Sequence, residues 1–448
     1  DNTRVRGARG RPGRYGMARI LIVTVGIKSH LYTYLALAGR LGRMNHTLAI
    51  ASHDARNVEE IQNAGLEFHQ LRPTDGVWAT APYRPGVKGW LCGRGYALKR
   101  RKAVLSGLGL LEVIEKFDAD LVVADAEMHE HVLVALFSGR PTATMEFHLS
   151  PLRRANVPIL SDFHVPTDTL RSRLNCKAHW IRTAVQRRLA RLLRKLTNLG
   201  ADKHSTMKEL VRRNNVRLGA VIRTDHWQHY SFPRIPCLRP TVPGMDFKAE
   251  PLLPDNQHFI GPQILDAQFR GSTHDAGKKV SSFLDSRPAD RPVIMLSLGS
   301  ILTSKKIIRL AIEAVTGKPV TLLVSAGPHH SRSGKEDTPN NVFIDGWLPL
   351  AQLLPRVSVM ISHGGVATIH ECIDSQVPLL IYSLNVMDMN GNAARVHGKG
   401  LGIAGGANDS AAEMWDHIEL LLTDPSFKEN CGKMAAQFRR YGTEEHIG

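Results

Sequence analysis

Residues 361 to 371, Ile361-Ser-His-Gly-Gly-Val-Ala-Thr-Ile-His-Glu371, decide how this chain is built. Just before them, Val357 to Ile361 is short, apolar and β-branched, which reads as a buried parallel strand. From Thr368 to Cys372 the pattern becomes that of a helix start, so His363-Gly364-Gly365 is a strand-to-helix turn. Such a turn binds anions: glycine lets the backbone approach closely, the first helical N–H groups have no partner of their own, and the helix dipole favours negative charge. The expected guest is a diphosphate. Glu371 stands beyond the turn, where a carboxylate can accept from a vicinal diol such as that of a ribose.

Further residues extend this layout: Trp347-Leu-Pro-Leu350 before the turn, then Val377-Pro378, Asp388 and Asn392-Ala-Ala-Arg395 after it. In this order the set resembles the donor-binding signature of the UDP-glycosyltransferase superfamily. The resemblance is strong over about seventy residues and weaker from Ala18 onward. It implies the α/β GT-B fold, two Rossmann-like domains facing each other across a cleft. It also implies an inverting, metal-independent glycosyltransferase. Such an enzyme moves a sugar from a UDP-sugar or related nucleotide sugar to a hydroxyl of a lipophilic or amphiphilic small molecule. The nucleotide sugar is then a substrate, and neither cofactor nor metal is expected.

Composition agrees with a folded enzyme: 448 residues, 43% hydrophobic and 22% charged. No apolar run approaches the roughly 18 residues of a membrane span and no secretory signal is visible, so a cytoplasmic location is expected. Cys92, Cys176, Cys237, Cys372 and Cys431 are scattered without CxxC spacing, against both a disulfide framework and a zinc site. The net charge of +17 is concentrated in residues 1–16, 84–102 and 151–223, which carry +4, +7 and +13 and leave the rest at −7. Residues 1–16 are Arg/Gly-rich with little to bury and are expected to be a disordered tail, Met17 being the expected start.

From Ala18 strand and helix signals alternate. Ile20 to Val25, Thr47 to Ala51, Leu121 to Ala124 and Thr142 to Met145 read as strands of a first domain, and Leu31 to Gly42 as an amphipathic helix. Pro233 to Pro254 is proline-crowded and aperiodic. The expected division is an acceptor-binding domain over 17–240, a linker over 241–260, a nucleotide-sugar domain over 261–425, and a C-terminal helix over 426–448 that packs back on the first domain. Strands of the second domain are expected at 293–298, 320–325, 342–344, 357–361 and 379–382.

Ser29-His30 followed by Leu37-Ala38 resembles the superfamily's acceptor-side pattern, with Thr33 where a proline is usual. By that resemblance His30 deprotonates the acceptor hydroxyl, a task suited to a group whose ordinary pKa lies near neutrality. The alternative is a structural histidine at a helix start. Asp125, directly after the strand Leu121 to Ala124, is the expected partner that fixes the imidazole; a helix N-cap ahead of Ala126 to Phe137 is the alternative. Glu127, His129 and His131 resemble metal ligands only superficially, since positions two apart on a helix do not face each other. They are expected to line or flank the acceptor pocket.

On the donor side, Leu296-Ser-Leu-Gly-Ser300 resembles the superfamily's second phosphate loop, with Gly299 and Ser300 at the diphosphate. Trp347 offers a face for the base, an interaction worth about 1–3 kcal/mol in nucleic-acid complexes. His363, Gly364, Gly365 and Thr368 are expected at the phosphates, Glu371 at the ribose, and Asp388 and Asn392 at the sugar. Met389 and Leu350 replace glutamines usual in the family, which leaves the sugar undefined. Gly271 to Lys279 mimics a P-loop but has five residues between its glycines and no Ser/Thr after the lysine. It is a loop.

The Arg-rich run from Trp180 to Leu196 places its leucines on one helical face, which suits either packing on the core or peripheral contact with an anionic membrane at the inner face. Gly86 to Lys102, basic and glycine-rich, reads as a mobile loop beside the acceptor cleft. Other functions compatible with these features are a membrane-associated lipid or cell-envelope glycosyltransferase or a nucleotide-sugar epimerase of the same fold. A basic RNA-binding protein is a third class, but no nucleic-acid-binding signature is present.

Overall fold

Val, Ile and Leu dominate the segments that become strands because these strands are covered on both faces. Leu21, Ile22 and Val23, like Leu322, Leu323 and Val324, are wholly buried. The computed structural model describes residues 16–71, 86–228, 230–249, 253–265, 274–299, 304–327 and 338–443. The expectation of a disordered tail over 1–16 falls, but for Gly16, outside them.

The first sheet contains β1 (Arg19–Thr24), β2 (Thr47–Ser52), β3 (Glu67–Gln70), β4 (Leu121–Asp125), β5 (Thr142–Met145), β6 (Cys237–Arg239) and β7 (Gln257–Phe259). Its spatial order is β3-β2-β1-β4-β5-β6-β7, every pair parallel. The second contains β8 (Val293–Ser297), β9 (Thr321–Ser325), β10 (Val342–Asp345), β11 (Val359–Ser362), β12 (Leu379–Ile381) and β13 (Gly402–Ala404), in the order β10-β9-β8-β11-β12-β13, again all parallel. In each sheet the winding reverses direction once, between β1 and β4 and between β8 and β11. Ligands of open α/β sheets bind outside the carboxyl ends of strands at such switch points. The four loops leaving β1, β4, β8 and β11 are thus the places where chemistry is expected.

Three sequence expectations need correction: Gly277, Lys278 and Lys279, read as part of a loop, lie in the helix His274–Asp285. Residues 241–260, expected as a linker, end in β7, and β6 lies just before them, so the first sheet continues through this region. Its strands have three residues each, too short to show a period, and the prolines border them: the Pro236 carbonyl accepts from the Thr144 N–H at 2.8 Å. Gly86 to Lys102, expected as a loop, lies in the helix Gly86–Leu105. Its glycines weaken helix propensity, but tertiary packing overrides it: the helix lies against Lys203–Arg213, and the Trp90 indole N–H donates to the Thr197 carbonyl.

The domains are locked by a buried charge. Asp246 accepts from Arg395 Nε at 2.9 Å and also pairs with Arg154; the Arg395 side chain is fully enclosed. Beside it the Gly391 N–H donates to the Leu160 carbonyl at 2.8 Å, and a Cβ on Gly391 would come within 2.5 Å of Leu160. The C-terminal helix Pro425–Tyr441 packs Cys431, Met434 and Phe438 into the second domain's core. Its last residue reaches the first sheet, the Tyr441 ring lying 6.4 Å from Phe259. Asp246→Ala would strand two buried cations, a loss of about 3–5 kcal/mol for a broken buried pair. Thermal unfolding should therefore show a clearly lowered midpoint in this variant, while Asp285→Ala, which removes an exposed pair with Arg356, should leave it near wild type.

Candidate active site

On the first-domain side, β1 ends at Thr24 and the chain enters the helix Lys28–Arg43, which puts His30 in its first turn. β4 delivers Asp125, fully buried, to the same rim. His30 Nδ1 lies 2.7 Å from Asp125 Oδ2. Its ring stacks on Phe147, centroids 3.9 Å apart. Burial acts to lower the His30 pKa, but the Asp125 charge and hydrogen bond outweigh it, and the imidazole is held above its ordinary 6.5. With Nδ1 engaged, Nε2 is the nitrogen left for the cleft that His30 lines. Asp125 does not cap the next helix, which starts at His129; its Oδ1 accepts from the Glu127 N–H at 3.0 Å.

Behind His30 lies a buried polar network. Glu146 Oε1 accepts from the His148 backbone N–H at 3.0 Å and lies 2.5 Å from His148 Nδ1, while Oε2 lies 2.8 Å from His226 Nε2. Glu146, His148 and His226 bring one ligand atom each within 4.8 Å of one another, a spacing that suits a metal. The hydrogen bonds argue otherwise. His226 Nδ1 accepts from the Gln228 N–H at 3.1 Å, so its Nε2 carries the proton, and Glu146 is already filled by donors. The group is a self-satisfied ion-pair network. Burial lowers and Glu146 raises the His148 pKa, with the net result pushed up to about 9; Glu146 is held well below the usual range. Glu127 completes the wall: its Oε1 accepts from Gln228 Nε2 at 3.3 Å and faces His148 Nε2 at 3.4 Å, while its buried Oε2 has no protein partner.

Across the cleft, Gly299 follows β8 and His363 follows β11. A Cβ on Gly299 or on Gly365 would come within 2.8 Å of the His363 ring, so the imidazole is wedged between the two loops. Burial pushes its pKa down to about 4, and it is neutral at pH 7. The helix Val366–Asp374 starts here with Gly365 at its cap position and no capping side chain, which leaves its first N–H groups for a ligand. Trp347, 40% exposed, Thr368, Glu371 and Asp388 line the same cleft, whose volume is about 660 Å³. Ser300 lies outside the described residues. Asn392, expected at the sugar, is fully buried and instead donates to the Gly364 carbonyl and to Asp388 Oδ2, both at 2.9 Å. It fixes the turn and the aspartate. A four-residue separation of positions 388 and 392 on one helix turn makes that bond natural and keeps Asn392 out of the cleft.

Residues 320–441 match the family model described as Erythromycin biosynthesis protein CIII-like, C-terminal domain. The whole fold is similar to that of the kitacinnamycin glycosyltransferase, with a TM-score of 0.68 and 18% identity over 95% of this chain and 96% of the other. It is also similar to glycosyltransferase VinC in complex with dTDP, with a TM-score of 0.58, 18% identity, and coverage of 94% and 95%. The chain has the GT-B fold of these glycosyltransferases. Among curated relatives of this GT-B chain, demethyllactenocin mycarosyltransferase of Streptomyces fradiae is 28% identical over 191 residues, 42% of this chain and 39% of the relative. A PGL/p-HBAD biosynthesis rhamnosyltransferase of Mycobacterium bovis (strain BCG / Pasteur 1173P2) is 26% identical over 175 residues, 39% of this chain and 34% of the relative. The matched segment thus spans well under half of the length of these relatives.

Of the expected acceptor-side residues, Glu127 lines the cleft of this GT-B chain, whereas His129 and His131 are buried away from it. His129 Nδ1 lies 2.8 Å from Lys203 Nζ, and His131 pairs with His53 at 2.8 Å. Sequence reasoning missed Glu146, Phe147, His148 and His226. The first three follow β5 at the same rim as Asp125, and Glu146-Phe-His148 after a strand was a readable signal; His226 comes from a distant loop and was not. The raised His148 pKa stabilises the fold below pH 6.5, and this contribution is lost as pH rises through about 9. Between those limits the melting temperature of wild type should fall more steeply with pH than that of His148→Gln.

Proposed function

We propose that this chain transfers a deoxysugar from a nucleoside diphosphate, thymidine diphosphate rather than uridine diphosphate, to a hydroxyl of an amphiphilic small molecule. The observation that carries the reading is the placement of the His30–Asp125 pair and the uncapped Val366–Asp374 helix on opposite walls of one cleft. The thymidine preference and the deoxysugar are supported by the relatives: a mycarosyltransferase, a rhamnosyltransferase, and a similar fold solved with dTDP.

In this mechanism His30 Nε2 takes the proton of the acceptor hydroxyl. The oxygen forms its bond to the anomeric carbon from the face opposite the diphosphate, whose bond to that carbon breaks and whose oxygen leaves with the electron pair. Asp125 stabilises the imidazolium that results. The leaving diphosphate meets backbone N–H groups and the positive end of a helix dipole, donors already oriented before charge develops. Neutral His363 shapes that turn without adding charge. Trp347 stacks the base, Glu371 takes the ribose and Asp388 a sugar hydroxyl. Glu127, with an oxygen that no protein group fills, accepts from a second polar group of the substrate.

Donor binding and turnover separate these roles. Calorimetry with thymidine diphosphate in excess EDTA should show binding, and Trp347→Ala should weaken it by about 1–3 kcal/mol. Loss of binding on chelation would contradict the metal-free reading. His30→Ala should reduce transfer to the acceptor on the order of 10²–10⁴-fold while leaving that nucleotide affinity near wild type. In Asp125→Asn the imidazole loses the charge that raises its pKa. The acidic limb of the pH–rate profile should then move to lower pH, with a lower maximum; an unmoved limb would remove Asp125 from the catalytic unit.

A further inference from the structure

The helix Leu170–Thr197 is packed with its apolar face outward. Ser172, Cys176 and Trp180 face the protein, each at most 6% exposed. Leu174, Val185, Leu189, Leu192, Leu193 and Leu196 are each 53–61% exposed. At 3.6 residues per turn these six fall within an arc of about 100° on the side opposite the buried three. Exposed Lys177, Arg188 and Lys195 run along one border of this stripe, and exposed Arg182 lies within it toward the other edge. The helix holds nine Lys/Arg and no Asp/Glu.

The neighbouring helix Gly86–Leu105 continues the surface. Trp90 is 42%, Leu91 52% and Leu98 48% exposed, and the helix carries six Lys/Arg and no acid. The sequence left two readings of this Arg-rich run open, and the first, leucines packed on the core, does not hold. Something else covers them. A symmetric dimer would set the same cations against each other, since an isologous interface pairs one patch with its own copy. A neutral apolar partner would leave the cations without counter-charge. An anionic lipid surface satisfies both parts at once, leucines in the acyl boundary and cations at the headgroups.

We propose that this two-helix face docks the protein on the surface of an anionic bilayer, without crossing it; among the described residues no helix is long and apolar enough to span one. The docked face backs onto the cleft wall. Trp180 packs in one cluster with Ile159, Leu160 and Trp227, and the Trp227 ring lies 4.8 Å from His148, which lines the cleft. An amphiphilic acceptor held in the lipid would thus be close to the wall that carries the base.

Vesicle flotation tests the proposal with no need for sugar transfer, so it stands or falls apart from the catalytic reading. Wild-type protein should float with phosphatidylcholine vesicles containing phosphatidylglycerol, stay behind with phosphatidylcholine alone, and be released by high salt. Combined Lys177→Glu, Arg188→Glu and Lys195→Glu should weaken vesicle binding on the order of a hundredfold. Combined Leu189→Ser and Leu192→Ser should weaken it too, with an unchanged melting temperature showing that the fold is intact. Equal or absent binding to both vesicle types, or wild-type binding by the charge-reversed variant, overturns the proposal. So does a dimer in sedimentation that the Leu189→Ser, Leu192→Ser variant loses, which would assign the face to a second copy.

Discussion

Everything on the two walls of the cleft depends on the carboxylate of Asp246, held between Arg395 and Arg154. The Arg395 side chain is inaccessible, and such a cation is tolerated only because Asp246 and the Gly391 carbonyl, 2.9 Å from its Nη1, satisfy it there. Arg395 lies on the helix that opens with Asp388 and Met389, directly beside the glycine turn of the proposed donor site. The close approach of Gly391 to Leu160 adds a steric lock to the electrostatic one. Together they bring the switch point of one sheet opposite that of the other. Neither sheet holds a complete site by itself.

The two walls solve their electrostatics in opposite ways. On the acceptor side two histidines, His30 and His148, are each held by a carboxylate, and each keeps a pKa above its ordinary value despite burial. In the proposed mechanism this eases the protonation of His30. On the donor side His363 has only weak help from Asp388, and burial wins, so the ring is neutral. Positive potential there comes from backbone N–H groups, which need no proton and do not titrate. The phosphate site proposed here would not titrate over any pH range that leaves the fold intact. The pH sensitivity of the site resides in the opposite wall.

The long basic helix shows the same economy at the surface. Inward it needs only three small or aromatic contacts, with the Trp180 indole donating to the Val157 carbonyl at 2.8 Å and Arg187 to the His226 carbonyl at 2.8 Å. Those bonds tie the helix to the loop that bears His226, and so to the ion-pair network behind His30. The outward face is freed of any packing duty.

The sequence by itself determined the fold class, because buried β-branched runs alternating with amphipathic helices leave few topologies, and the glycine turn at 363–365 marks a strand-to-helix corner whatever surrounds it. The His30–Asp125 pairing was expected only from the resemblance to the UDP-glycosyltransferase superfamily, and it is the tertiary structure that brings the two side chains to 2.7 Å. Three-residue β6, β7 and β13 carry no period and stayed invisible, which is why the first domain appeared to end early. Helix propensity misjudged Gly86 to Lys102, which lies in the helix Gly86–Leu105 and owes its stability to packing. Only the tertiary structure decided that Asn392 faces Gly364 and not the sugar, that Glu146 and His226 meet across 80 positions, and which way Leu170–Thr197 turns its leucines. Hydrophobic periodicity fixes which side chains share a face. It does not say toward what that face is turned, because that depends on contacts between residues far apart in the chain.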